Sequence, residues 1–195
     1  MDSLARKIVK KQIASGNIDM AKEDMYIYGY QVFLEKTISY ILIAVIAVLF
    51  NKEWDVLIVC VSFIPLRSYA GGIHAKSAVM CFSLTSIVII VGILLSGSIG
   101  MILNKAGIFW ICLIELVICI CITAVSPVDV LERRLNNKEK HIYKERLKRI
   151  VVIEYVIYVV LSLLNTGWIL LITYSHLIIL LSCTMQIIKN KKNYA

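Results

Sequence analysis

The sequence predicts an all-α integral membrane protein with six transmembrane helices, an amphipathic helix before them, and both termini in the cytoplasm. Three observations carry this expectation. The chain of 195 residues is 59% hydrophobic and only 17% charged, with a mean hydropathy of +0.81. A soluble domain is usually about half apolar and about a quarter charged. The apolar residues come in long blocks, which excludes a disordered chain as well as an ordinary soluble domain. Finally, Lys and Arg are confined to alternate connections, the segregation that membrane topology imposes.

At the N-terminus, Leu4, Ala5, Ile8, Val9, Gln12 and Ile13 recur at helical spacing, with Arg6, Lys7, Lys10 and Lys11 on other faces and Gly16-Asn17 as a stop. Two readings compete. The helix lies on the inner leaflet, or it packs on the protein's own cytoplasmic side. The first thirty residues are charged and lack the continuous apolar core of a signal peptide.

A helix needs about 20 apolar residues to cross about 30 Å of hydrocarbon. Val32–Phe50, Ala78–Leu103, Ala106–Val125, Ile150–Leu164 and Trp168–Ile188 meet or approach that length. Trp54–Leu66 is shorter, and at about 1.5 Å per residue it reaches roughly 20 Å. Charge decides its assignment. If all six segments cross, one side of the membrane carries 19 of the 21 basic residues and the other only Lys52 and Lys105. Omitting the short segment would put the most basic connection outside. The short span is expected to rely on bilayer thinning, or on Asp55 and Arg67 reaching the headgroups. Pro65 and Pro127 are expected at span ends.

The whole chain, 1–195, reads as one polytopic domain: an interfacial segment 1–31, a polar stretch 67–81, and a basic cytoplasmic loop 126–149. The net charge of +8 therefore marks topology, and no nucleic-acid partner is expected. Five of the six cysteines lie in apolar runs, where free Cys acts as a small hydrophobe.

Chemistry concentrates in RSYAGGIHAKSAVMC, Arg67 to Cys81, which holds one of three histidines and the one cysteine near a membrane face. On a straight helix His74 and Cys81 would lie about 10.5 Å apart along the axis, too far for a thiol–imidazole hydrogen bond. The segment must bend, and Gly71-Gly72 permits that because glycine accepts positive φ. With Ser77 as N-cap, Cys81 falls in the first turn of the next helix, where the helix dipole and an imidazole favour the thiolate. These are the ingredients of a Cys–His nucleophilic site. The other reading is a buried thiol and a headgroup-level histidine. No second Cys or further His lies nearby, so no metal and no cofactor is expected.

Arg67-x4-Gly72-x-His74-x6-Cys81 between two short spans resembles the conserved segment of the AgrB family of bacterial quorum-sensing peptide processors. The likeness extends to Glu23-x-x-Tyr26-x-Tyr28-Gly29 and to Ser126-Pro127 at the start of the basic loop. The resemblance implies a cysteine endopeptidase of the bacterial cell membrane that cleaves an AgrD-like propeptide and closes a macrocycle. Carried onto this chain, it makes Cys81 the nucleophile, His74 the base and later acid, Gly72 a pivot, and Arg67 an orienting or substrate-carboxylate contact. It also points to a homodimer.

The loop Glu132–Arg149 carries eight basic and three acidic residues. It either binds anionic lipid or captures the acidic region of the propeptide through Arg133, Arg134, Lys138 and Lys140. Glu115 falls mid-span, where a carboxylate faces protein or water: a helix–helix contact, or a lining of the substrate path. Glu154, one turn into the fifth span, is expected to anchor at the interface beside Arg149. Gly92, Ser96-Gly97-Ser98 and Gly100 give the third span a small face for packing within the chain or in a dimer. A small multi-pass exporter or channel with Glu115 on its pathway, and a non-catalytic scaffold, are the alternatives.

Overall fold

The computed structural model describes residues 2–72, 78–98, 105–129, 136–164 and 166–194. Among them the regular elements are α-helices, joined by one short 3-10 turn and one isolated backbone bridge. The chain divides into two units, Met1–Asn51 and Lys52–Ala195.

In the first unit, α1 (Asp2–Ala14) ends before Gly16, whose φ is +73°, and α2 (Glu23–Leu49) follows the 3-10 turn Met20–Lys22. The amphipathic stripe of α1 is spent on α2: Ala5 and Val9 are fully buried against Ile27, with Ile13, Tyr30 and Leu34 beside them. Part of the apolar face is therefore covered by protein, and Tyr26, Tyr28 and Gly29 belong to the first turns of α2.

The second unit contains α3 (Glu53–Ala70), α4 (Ala78–Ser98), α5 (Lys105–Val125), α6 (Asn137–Leu163) and α7 (Trp168–Tyr194). Helix α7 packs against the other four. Helices α3, α5 and α7 run the same way. At one end Trp168 Nε1 donates to Asp55 Oδ1 at 3.1 Å. At the other, Leu66, Ala70, Ile122, Val128 and Cys183 share one buried cluster with Leu147 and Val151 of α6. Further along, Tyr158 of α6 meets Ile169 and Ile172 near the start of α7, so α6 runs antiparallel to α7.

The structure revises four expectations. The segment read as a short span belongs to an 18-residue helix, α3, about 27 Å at 1.5 Å per residue, because Pro65 lies inside the helix instead of ending it. Pro65 removes one N–H donor, but the turn beyond it is held by the complete burial of Leu66 and Ala70. Asp55 does not reach for headgroups: Lys52 pairs with it at 3.1 Å and Trp168 donates to it. The basic loop is helical from Asn137 onward and continuous with the span that follows. An Asn136/Glu139 capping box starts it, with Asn136 N–H donating to Glu139 Oε2 at 3.0 Å. Such a cap is worth about 1 kcal/mol.

Three helices are long and apolar enough to cross a membrane among the described residues: Met20–Leu49, Gly107–Val125 and Trp168–Lys192, with Ser83–Ser96 as a shorter apolar helix. Large aliphatic side chains lie exposed on α2 (Val45, Val48, Leu49), α5 (Ile114, Val117, Ile120) and α6 (Val152, Val156, Val160). That surface is unfavourable in water and ordinary in lipid. The chain is a membrane protein.

Gly92 lets α4 sit close to α3 and α7: a Cβ there would lie 3.4 Å from Val59 Cγ2 and 3.5 Å from Tyr174 Cε1. The small face is thus used inside the chain at this position. A methyl fits that space and a branched chain does not. Gly92→Ala is expected to leave the thermal midpoint in detergent within a few degrees of wild type. Gly92→Leu should lower it clearly, and equal midpoints for the two would refute the close contact.

Candidate functional site

Helix α3 ends at Ala70 because the next two residues leave right-handed backbone: Gly71 has φ +78° and Gly72 φ +109°, values that favour glycine. The chain then pairs sideways. Gly71 and Val128 form a parallel bridge, and Val128 N–H donates to Ala70 O at 3.0 Å. A buried backbone polar group needs a partner inside the protein; this pairing supplies one where two helices stop. Space is tight. A Cβ on Gly71 would come within 2.5 Å of Val128 O, and one on Gly72 would strike the Arg67 guanidinium and come within 2.6 Å of Ser182 Oγ.

Side chains close the same junction. Arg67 Nη1 donates to Gly71 O in a very short contact. Cys183 of α7 lies 3.8 Å from Ala70 O and 4.0 Å from Gly71 O, and its sulfur meets Ser126 Oγ at 3.6 Å. Asn190 Nδ2 donates to Asp129 O at 2.8 Å and is itself engaged by Gln186 at 2.9 Å. Lys140 pairs with Asp129 at 2.5 Å. The end of α3, the segment after α5 and the last turns of α7 are thereby tied into one backbone-mediated knot.

The residues singled out in the sequence fall unevenly on this frame. Gly72 is buried at the knot and Arg67 orients the preceding carbonyl. His74, Arg133, Arg134 and Ser77 lie outside the described residues. Cys81 is described by its backbone alone, in the first turn of α4. Lys138 is exposed at the start of α6. Glu145 on that helix is held by Lys148 at 2.9 Å, and the ammonium keeps its carboxyl below the ordinary range.

Glu115, Glu154 and His176 meet inside the helix bundle. His176 Nε2 is 2.8 Å from Glu154 Oε2, and His176 Nδ1 makes a very short contact with Glu115 Oε1. Glu154 therefore does not anchor beside Arg149; it is buried against α7. Glu115 has the geometry of a helix–helix contact. The sequence reading gave His176 and Cys119 no role. The available signal was electrostatic, since two carboxylates in apolar spans need a cationic or donor partner and His176 is the one histidine inside a span.

Comparison with known proteins locates this arrangement. The family model described as "Accessory gene regulator B" matches residues 1–189. The chain belongs to the AgrB family. Two Clostridium perfringens proteins are similar to it: "Putative AgrB-like protein" of strain SM101 is 28% identical, and "Putative AgrB-like protein 2" of strain 13 is 27% identical. Each alignment spans 175 residues, 86% of this chain and 81% of the relative. No solved structure matches the chain. Membership in the AgrB family implies a part in processing AgrD-type propeptides.

The knot makes a graded prediction. A Cβ in this glycine-favouring backbone costs about 1–3 kcal/mol of folded-state stability. At Gly71 the obstacle is backbone that cannot swing away; at Gly72 it is two side-chain ends. Gly71→Ala is expected to lower the thermal midpoint in detergent by several degrees, and Gly72→Ala by less. A wild-type midpoint for Gly71→Ala would contradict the close approach at the junction.

Proposed function

We propose that this AgrB-family protein is a membrane-embedded cysteine endopeptidase that cleaves the C-terminal part of an AgrD-like propeptide and promotes ring closure of the remainder for quorum sensing. In this reading Cys81 is the nucleophile. Its thiolate attacks the scissile carbonyl, His74 gives a proton to the leaving amine, and the upstream peptide stays on sulfur as a thioester. An internal thiol or hydroxyl of the peptide then attacks the thioester, expels the Cys81 thiolate and leaves as a ring. Transfer between thioesters is nearly balanced in energy, so water must be kept away during the second step.

The observation that carries the reading is the geometry just before the pair. The described chain leaves α3 at two positive-φ glycines, Gly71 and Gly72, and this break in the backbone supports a bend ahead of the pair, which cooperation between His74 and Cys81 requires. In this reading the dipole of α4 and the His74 imidazole would favour the Cys81 thiolate.

The proposal includes six crossings with cytoplasmic termini. The shared direction of α3, α5 and α7 favours it, as does the gathering of Arg67, the basic half of α6 and Lys189–Lys192 at one end of that unit. The site then faces the cytoplasm, where a propeptide is made. Arg133, Arg134, Lys138 and Lys140 would draw the acidic part of the substrate to the same face. A homodimer belongs to this reading on family likeness alone.

Cys81→Ala is expected to abolish cleavage, while wild type stalled with a propeptide lacking its ring-closing thiol or hydroxyl should hold a hydroxylamine-labile acyl fragment on Cys81. Cleavage by the purified, reconstituted alanine variant would exclude the role. Replacing the four basic residues by Gln should weaken propeptide binding, with the largest deficit at low salt because screening is least there. Equal binding at all salt concentrations would assign the charges to lipid instead.

A further inference from the structure

The buried cluster in the helix bundle has more donors than a helix contact needs. Glu115 and Cys119 stand one turn apart on one face of α5, and His176 of α7 faces both. Cys119 Sγ is 3.6 Å from Glu115 Oε1 and 4.0 Å from His176 Nδ1. One donor atom from each of the three lies within 4.8 Å of the others. Exposure is 0% for Glu115 and His176, 4% for Cys119 and 8% for Glu154. The second oxygen of Glu115 is buried with no hydrogen-bond partner among the described residues. Burying an unsatisfied carboxylate oxygen is costly, so this atom calls for a cation or a proton.

We propose that Glu115, Cys119 and His176 bind a divalent transition metal of zinc-like preference, with Glu154 as the outer carboxylate that orients the histidine. The donor chemistry fits: thiolate, imidazole and carboxylate are the ligands zinc takes. Two of the three spacings fit as they stand. Bonds of about 2.3 Å to sulfur and about 2.0 Å to nitrogen and oxygen place tetrahedral neighbours roughly 3.5 Å apart, close to the two sulfur separations here; the Glu115–His176 contact is much shorter and has to open when the ion enters. Glu154 sits on the far nitrogen of His176, the position from which a carboxylate fixes the tautomer of a metal-bound imidazole.

Loading is an exchange of protons for metal. In the metal-free form the contacts suit a proton on each nitrogen of His176, one shared with Glu115 and one with Glu154, and a thiol at Cys119. The ion displaces the Nδ1 proton and the thiol proton, two in all, and leaves a neutral imidazole and a thiolate. With the Glu115 carboxylate, the inner sphere is then neutral overall, the form an apolar interior tolerates. Glu115 can chelate through both oxygens, which closes the coordination sphere at a geometry distorted from tetrahedral and leaves no water position open in a site without solvent access. Its role is to clamp α5 to α7, with α6 held through Glu154; it takes no part in the thioester chemistry proposed above.

The test uses the full-length protein, purified in detergent without a polyhistidine tag. Elemental analysis should give about one zinc per chain. After chelation, titration with Co2+ should produce a thiolate-to-cobalt charge-transfer band that saturates near one equivalent. The band should vanish in Cys119→Ser and persist in Cys81→Ala and Cys183→Ser. Glu154→Gln, which keeps a hydrogen-bond acceptor at the outer position, should retain the band with about 10- to 100-fold weaker metal binding. Metal-free wild type that develops no cobalt band, or a band that survives Cys119→Ser, overturns the proposal and leaves a protonated histidine between two carboxylates. Should Cys119→Ser fail to fold, the wild-type stoichiometry and the Glu154→Gln titration decide the matter alone.

Discussion

The second unit depends on a small piece of non-helical backbone: the pairing of Ala70-Gly71 with Val128. A helix that stops leaves carbonyls and amides without intrahelical partners, and those that are buried need partners within the protein. Here two helix ends answer one another. Val128 N–H takes the Ala70 carbonyl, the Arg67 guanidinium takes the Gly71 carbonyl, and the Cys183 thiol covers both oxygens. The glycines follow from this constraint. With a side chain at Gly71 the backbone could not approach Val128 O so closely.

A second constraint acts deeper in the bundle. Placing carboxylates on α5 and α6 commits α7 to a histidine between them. The helices cannot slide or rotate past one another without exposing charge to hydrocarbon, a cost that aliphatic packing alone does not impose. Helix α7 thus carries both organising features, His176 near its middle and Ser182, Cys183 and Asn190 at the knot. This explains why it packs against each of the other four helices of its unit.

Much of this was legible from residue order, and for definable reasons. Hydropathy located the helical segments because lipid selects on run length, and Gly71-Gly72 announced a break because no other residue takes that backbone so readily. Other features were not legible. Pro65 read as a stop, since only tertiary burial of Leu66 and Ala70 could reveal that the helix continues past it. The basic segment read as loop because its charges mask helical periodicity, although Asn136 and Glu139 three residues apart spelled out its cap. Glu154 looked like an interface anchor because its partner is 22 residues away on another helix. The role of Cys183 at the knot was invisible for the same reason: it is 113 residues from Ala70.

That last separation bears on how the protein is made. Chains enter the membrane from the N-terminus, so α3 and the Gly71-Gly72 turn are inserted well before Ser182, Cys183 and Asn190 leave the ribosome. Until then the turn lacks one of its walls, and Asp129 lacks the amide that fixes the segment opposite. The bend ahead of His74 and Cys81 is therefore completed by the final helix. A nascent or C-terminally truncated chain carries the Gly71-Gly72 turn without the side chains of α7 that close it, and maturation of this junction waits on the end of synthesis.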